Sequence, residues 1–299
     1  MWFVLSLIAL FMLSSRRVAE KNATNNIDTL SMTWLQQAVA MPLIIATLFV
    51  GKFYLPNELS ANFWWLLLIY VILQATYLFT YFSAVNLADV SFIAPLMTLF
   101  IVGNMIGAFI ILHQIPSFSG MLGAFFIMAG AWIVSKNKKH NSRKSAKNHT
   151  KAFWLIILGI AISSIFSNIE VILLRMSNPI SYNFYSSVLT IPLVIVITII
   201  VLKKQRKNMK NYWKKVKKDS LRIYSSLVII GVTYTVNMLC TYQAKILAPN
   251  QAYVSTIKAA SVIPVIIFGI IFFNEKVNFK QWTGIILMIL GLCLIALNL

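Results

Sequence analysis

The chain has 299 residues, 59% of them hydrophobic and 11% charged, with a formal net charge of +19. Soluble domains carry about 25% charged residues, so this composition excludes a water-soluble fold and points to a bilayer as solvent. Its apolar runs are continuous rather than alternating, as in Phe153 to Leu174 and Ile180 to Leu202, which excludes a closed barrel and leaves helices as the spanning elements.

Ten apolar segments follow in chain order, at about 2–20, 29–51, 62–84, 88–112, 117–135, 152–174, 180–202, 221–244, 249–273 and 280–298. Each is near the ~20 residues that cross a bilayer core. The first resembles a signal-peptide core over Trp2 to Leu13. However, its charges, Arg16 and Arg17, come after the apolar run, so it reads as a first helix with its N-terminus outside. The second carries Gln36 and Pro42. In the third, Tyr70, Gln74, Tyr77 and Tyr81 fall at i, i+4, i+7 and i+11 and share one helical face. The fourth holds Pro95, Thr98 and Asn104, the sixth Glu170 and the seventh Pro192. In the eighth, Tyr234, Asn237 and Thr241 fall at i, i+3 and i+7, and the ninth holds Lys258 and Pro264. Polar faces of this kind line a wet cavity or hold helices together.

Lysine and arginine divide unevenly between the connections. Those after the odd-numbered segments hold three, none, seven, ten and two, 22 in all, whereas the termini and the other connections hold three, Lys52, Arg175 and Lys245. Positive charge stays on the cytoplasmic side, so both termini are expected outside, in a bacterial plasma membrane. The same placement makes the basic residues membrane-surface anchors rather than a nucleic-acid patch. Cys240 and Cys293 sit in apolar helices, the three histidines form no cluster, and no GxxxxGK[ST] loop or HExxH is present. No metal, no cofactor and no enzymatic activity is expected.

The chain also repeats. Gln114, Phe118, Gly123 and Gly130 match Glu275, Phe279, Gly284 and Gly291 at an offset of 161, and Leu87 and Ala88 match Leu247 and Ala248 at 160. Pro42 and Pro192 match at 150. At the offset of 160, Gln74, Tyr77, Tyr81 and Thr98 meet Tyr234, Asn237, Thr241 and Lys258. Five helices per half is an odd number, so the second copy enters the membrane inverted. The expected organisation is a first repeat over 1–135, a basic linker over 136–151 and a second repeat over 152–299. Inverted repeats are a signature of secondary transporters, with the site at their interface.

These features resemble the ten-helix EamA-type branch of the drug/metabolite transporter superfamily. The resemblance rests on two copies of a long apolar helix, a short polar turn and a Gly-containing final helix. The second copy reads Pro264-Val-Ile-Ile-Phe-Gly, Phe273-Asn-Glu275-Lys-Val, then Gly284 to Gly291; the first has His113-Gln114 where the family has Gly-Glu. It implies an all-α membrane fold and secondary transport of small metabolites, without fixing the substrate.

Charge inside a bilayer costs at least about 2.5–3.5 kcal/mol near the centre, which makes Lys258 and Glu170 the first candidates for substrate contact. Lys258 would anchor an anionic group, or be a structural lysine paired with Glu170 or reaching for an interface. Glu170 would take a substrate ammonium or a coupling proton, or be a simple ion-pair partner. Gln74, Tyr77, Tyr81, Thr98, Tyr234 and Asn237 would supply hydrogen bonds and aromatic walls. The expected function is alternating-access transport of an amino acid or related zwitterion, by a monomer or homodimer. The alternatives are a carrier of organic cations, quaternary amines or drugs, and a flippase for a lipid-linked substrate.

Overall fold

The computed structural model describes residues 1–24, 29–87, 93, 96–136, 146–204, 209–273 and 279–297, and these form helices and turns with no strand among them. In chain order the helices are α1 (Trp2–Thr24), α2 (Thr29–Thr47), α3 (Ala61–Leu87), α4 (Phe100–Leu112), α5 (Phe118–Lys136) and α6 (Ala146–Met176). They continue with α7 (Pro179–Lys204), α8 (Met209–Arg222), α9 (Tyr224–Leu247), α10 (Gln251–Ala259), α11 (Val262–Phe273) and α12 (Phe279–Ala296). Among the described residues six stretches are long and apolar enough to cross a membrane: Trp2–Glu20, Ala61–Tyr81, Thr150–Met176, Pro179–Lys203, Tyr224–Leu247 and Gln251–Phe268. Four shorter apolar helices accompany them: Trp34–Thr47, Phe100–Leu112, Phe118–Val134 and Gln281–Ala296. Large apolar side chains such as Ile106, Phe109, Phe125, Trp132, Ile200 and Ile286 face outward. Such an exterior suits acyl chains and makes this a multi-pass membrane protein.

The boundaries differ from the expected ones in three places. Helix α6 begins at Ala146, within the stretch expected as linker, because Ala146 to Lys151 extend the apolar helix by about one and a half turns. The charge-rich connection after α7 contains a helix of its own, α8. There Trp213 packs on Trp34 with ring centroids 5.5 Å apart, while Lys214, Lys217 and Lys218 remain exposed. The ninth segment is not continuous: α10 stops at Ala259 and α11 starts at Val262. Pro95, Glu275 and the polar turn around Glu275 lie outside the described residues.

The break between α10 and α11 has a local cause. Pro264, the third residue of α11, has no N–H to give to the Ala260 carbonyl, which accepts instead from Ile263 N at 2.9 Å. The chain tightens there into shorter-range bonds, Ala260 N to Ile257 O at 3.0 Å and Ser261 N to Lys258 O at 3.1 Å. A similar tightening precedes α4, where Leu99 N donates to Leu96 O at 3.0 Å and Ile101 N to Thr98 O at 3.1 Å. Lys258 and Thr98, which share a position in the repeat, therefore each sit at a helix discontinuity.

Packing brings distant stretches of the chain together: α1 lies along α9, and α6 along α3. Helices α5 and α12 meet through glycines. A Cβ on Gly123 would lie 2.7 Å from Gly291 O, and one on Gly284 would lie 2.7 Å from Gly130 O. Gly123 faces Gly291 while Gly130 faces Gly284, so the two helices run antiparallel. These are the four glycines matched by the repeat, and their close approach lets backbones touch as in small-residue membrane seams. A side chain at this seam forces the helices apart. Gly130→Val is expected to destabilise the protein by about 1–3 kcal/mol or more, read as a lower thermal-unfolding midpoint in detergent, whereas a substitution at lipid-facing Ile286 leaves the midpoint in place.

Candidate functional site

Helices α1, α3, α6, α9 and α10, with Met97 and Phe100 at the start of α4, enclose a cavity of about 410 Å³. Its lining includes Arg17, Tyr70, Gln74, Tyr77, Phe166, Glu170, Tyr234, Thr241, Lys245 and Lys258. Five of the eight residues singled out from sequence therefore share one cavity: Lys258, Glu170, Gln74, Tyr77 and Tyr234. The other three are placed otherwise. Tyr81 stacks on Tyr77, ring centroids 6.1 Å apart, one turn beyond the lining. Thr98 sits at the turn before α4, adjacent to Met97, which does line it. Asn237 is fully buried and turns away, its Nδ2 donating to Ala9 O of α1.

The cavity is closed at one end and open at the other. At the closed end Lys245 Nζ lies 2.6 Å from Glu170 Oε1 and donates to Ser167 Oγ at 3.0 Å. The hydroxyl of Tyr70 reaches toward Glu170 Oε2 at 3.4 Å. Tyr182 then stacks edge-on against Tyr70 and Tyr242, centroids 5.7 and 5.1 Å apart. Beyond them the 48–60 connection clasps the start of α7: Tyr54 N donates to Ser181 Oγ at 2.9 Å, Tyr185 OH to Tyr54 O at 2.8 Å, and Asn178 Nδ2 to Lys52 O at 2.6 Å. Tyr70, Glu170, Tyr242 and Lys245 are all buried, whereas Tyr77, Lys258 and Met97 are half-buried and Arg17 is exposed. Solvent access thus rises from the Lys245 end toward the Arg17 end.

Sequence reading expected Glu170 and Lys258 as the intramembrane charges, with a pairing between them as one alternative. The partner of Glu170 is Lys245 instead. From its sequence position that lysine reads as an outer-loop anchor, but α9 runs to Leu247 and leaves it in the last helical turn, 4% exposed. Lys258 Nζ donates to Thr241 Oγ1 at 3.0 Å. Arg17, counted as a cytoplasmic anchor, lines the cavity because α1 continues past it to Thr24. Its Nη1 donates to Ser261 Oγ at 2.9 Å, in the turn between α10 and α11, while Ser14 Oγ donates to Ser261 O at 3.0 Å. Arg16 lies beside the cavity, with Nε 3.1 Å from Glu20 Oε1, though not aligned for a hydrogen bond, and its guanidinium over the Tyr234 ring at 5.5 Å.

A second polar group braces the cavity from behind. Gln251 Nε2 donates to Asn168 Oδ1 at 2.6 Å and to Asn104 Oδ1 at 3.0 Å, tying α10 to α6 and α4. All three amides are fully buried. Gly103 and Gly107 of α4 let this contact form, since a Cβ on either would collide with Ser164 or Asn168. Asn104, weighed from sequence between packing and function, is therefore packing glue. Among the described residues no group of three histidine, cysteine, aspartate or glutamate side chains gathers in metal-binding geometry.

Removing one partner of a buried pair strands the other charge at a cost of about 3–5 kcal/mol. Lys245→Met is therefore expected to lower the thermal-unfolding midpoint sharply, and the double variant Lys245→Met/Glu170→Gln to recover most of that loss. Equal midpoints for the single and double variants would rule the pairing out.

Known proteins give the architecture a context. The EamA-like transporter family matches residues 1–136 and again residues 150–297, once in each half. Among solved structures 28 chains match. One, a crystal structure described only as that of a protein, superposes with a TM-score of 0.69 over 99% of this chain and 96% of its own, at 13% identity. That likeness speaks for the fold alone. No curated protein matches the sequence. With both halves matched, the chain belongs to the EamA-like transporter family, and is a membrane carrier of small molecules rather than an enzyme.

Proposed function

We propose that this protein is a secondary active transporter that moves a small polar metabolite with an anionic group by alternating access. The observation that carries this reading is the cavity itself: a polar, one-end-open chamber at the interface of the two halves, with Lys258 on its wall. The two halves, 1–135 and 152–299 about the linker, act as inverted repeats of five spanning segments each. Three observations support that organisation: the antiparallel glycine seam of α5 and α12, the reciprocal pairing of α1 with α9 and α3 with α6, and the family match falling once in each half. In this reading the open end faces the cytoplasm of a bacterial plasma membrane and the termini lie outside, which the uneven spread of lysine and arginine over the connections supports. The chain works as a monomer or homodimer, with lipid around it.

In this arrangement Lys258 holds the substrate's anionic group. It sits in the last turn of α10, where the discontinuity with α11 replaces regular helical bonds, the kind of position at which broken helices hold ions and substrates in transporters. Gln74, Tyr77 and Tyr234 supply hydrogen-bonding and aromatic walls. Glu170 and Lys245 form the closed gate. Opening the far side requires their separation, and a proton on Glu170 removes the attraction that holds them, so Glu170 is the coupling residue. An amino acid would fit with its carboxylate on Lys258 and its ammonium against the aromatic faces of Tyr70, Tyr77 and Phe166. A carrier of organic cations is less well supported, because the one acid on the cavity wall among the described residues is engaged by Lys245.

Uptake into proteoliposomes tests the reading. Labelled amino acids and small organic anions are expected to enter saturably, faster with an imposed pH gradient. Lys258→Ala is expected to reduce the rate by tenfold or more, as loss of a charge-assisted hydrogen bond worth about 1.5–3 kcal/mol implies. Folded protein that moves none of these solutes, or a Lys258→Ala variant that moves them normally, would overturn it.

A further inference from the structure

Among the described residues the charges on or beside the cavity do not cancel: four cations, Arg16, Arg17, Lys245 and Lys258, stand against two acids, Glu20 and Glu170. Lys245 pairs with Glu170 and Arg16 with Glu20. Arg17 and Lys258 are left, each with a neutral hydroxyl as its hydrogen-bond partner: Ser261 Oγ at 2.9 Å and Thr241 Oγ1 at 3.0 Å. A guanidinium has five N–H donors and an ammonium three, so most donors of both groups remain open. The two are also tied to one short stretch of chain. Arg17 is anchored on Ser261, and Ser261 N donates to Lys258 O at 3.1 Å, across the turn that ends α10. Both face the same cavity of about 410 Å³, room for a solute displacing roughly a dozen waters at about 30 Å³ each.

We propose that Arg17 and Lys258 together form a two-cation subsite for a dianion, carrying either two carboxylates or one phosphate ester. This rests on the carrier reading above and narrows its substrate class. Once the cavity closes over its solute and loses its water, a zwitterion leaves both positive charges uncompensated and a monoanion leaves one. A dianion neutralises the cavity, and Arg17 offers the planar two-point donor geometry that suits carboxylate and phosphate oxygens. Lys258 contributes a point charge at the deeper position. Arg17 then acts as the residue that sets the number of negative charges the carrier accepts.

The test is proteoliposome uptake of four labelled solutes, succinate, glycerol 3-phosphate, lactate and alanine, by the full-length protein and by Arg17→Gln, Arg17→Lys and Lys258→Gln. Succinate or glycerol 3-phosphate is expected to be the preferred solute, and the better of the two identifies the carboxylate or phosphate source. In Arg17→Gln the ratio of kcat/KM for that dianion to that for lactate is expected to fall about tenfold to a hundredfold, the loss of one charge-assisted contact, with partial recovery in Arg17→Lys. If Arg17→Gln does not fold, Ser261→Ala, which frees Arg17 from its anchor, is expected to lower the same ratio. Saturable, Lys258-dependent transport of alanine or lactate with no dianion moved, or a ratio unchanged by Arg17→Gln, would overturn the dianion subsite and leave the carrier reading intact. No transport of any of the four by folded protein would overturn both.

Discussion

Charge inside a bilayer has to be paired, wetted or held ready for a ligand, and this constraint organises the centre of the molecule. Glu170 and Lys245 are paired and buried, and they lie where α6 and α9 close one end of the cavity. Arg17 and Lys258 are not paired, and they lie where solvent reaches. The two halves of this arrangement depend on each other. The buried pair adds to the apolar packing of Ile169, Leu173 and Tyr242 in holding α6 to α9 beneath the tyrosine cap. Without the open end, Lys258 would be an uncompensated ammonium in hydrocarbon.

The backbone supplies the platform for those charges. Pro264 removes one helical hydrogen bond and fixes the turn between α10 and α11, so the end of α10 that carries Lys258 stops at mid-segment. The buried Asn104, Asn168 and Gln251 amides hold α10 to α4 and α6 from the other side. At the edge, the α5 and α12 glycine seam joins the final helices of the two halves. The Lys245 end is held by one ion pair, stacked tyrosines and the hydrogen bonds of the 48–60 connection to the start of α7, and these are the contacts that must part for the cavity to open on that side.

Much of this was legible in the sequence, for definite reasons. Continuous apolar runs and a charged fraction of 11% identified a helical membrane protein, and the duplicated Gly, Phe and polar positions agree with a family match over 1–136 and again over 150–297. The stripe Tyr70, Gln74 and Tyr77 lines the cavity because helical spacing alone fixes a shared face. Asn237 stands three residues from Tyr234, as Tyr77 does from Gln74, and departs because its amide is taken up by the Ala9 carbonyl of α1. Lys245 and Arg17 went unread as cavity residues because charge near a segment end looks like an interfacial anchor. Only the helix ends, Leu247 for α9 and Thr24 for α1, bring them inside. Ser261 gave no signal of its own, since a serine earns its role here only from the turn that presents it to Arg17.

Whether the cavity opens to one side at a time is read by side-specific labelling. Cys240 and Cys293 are first replaced by serine, and Ser255, on the cavity wall, is changed to cysteine. A membrane-impermeant thiol reagent is then applied to right-side-out and to inside-out vesicles. The account predicts rapid labelling from the cytoplasmic face alone, and labelling from the outer face as well once Glu170→Gln loosens its pair with Lys245. Labelling from the outer face alone in the unmodified gate, or from neither face in either background, would contradict it.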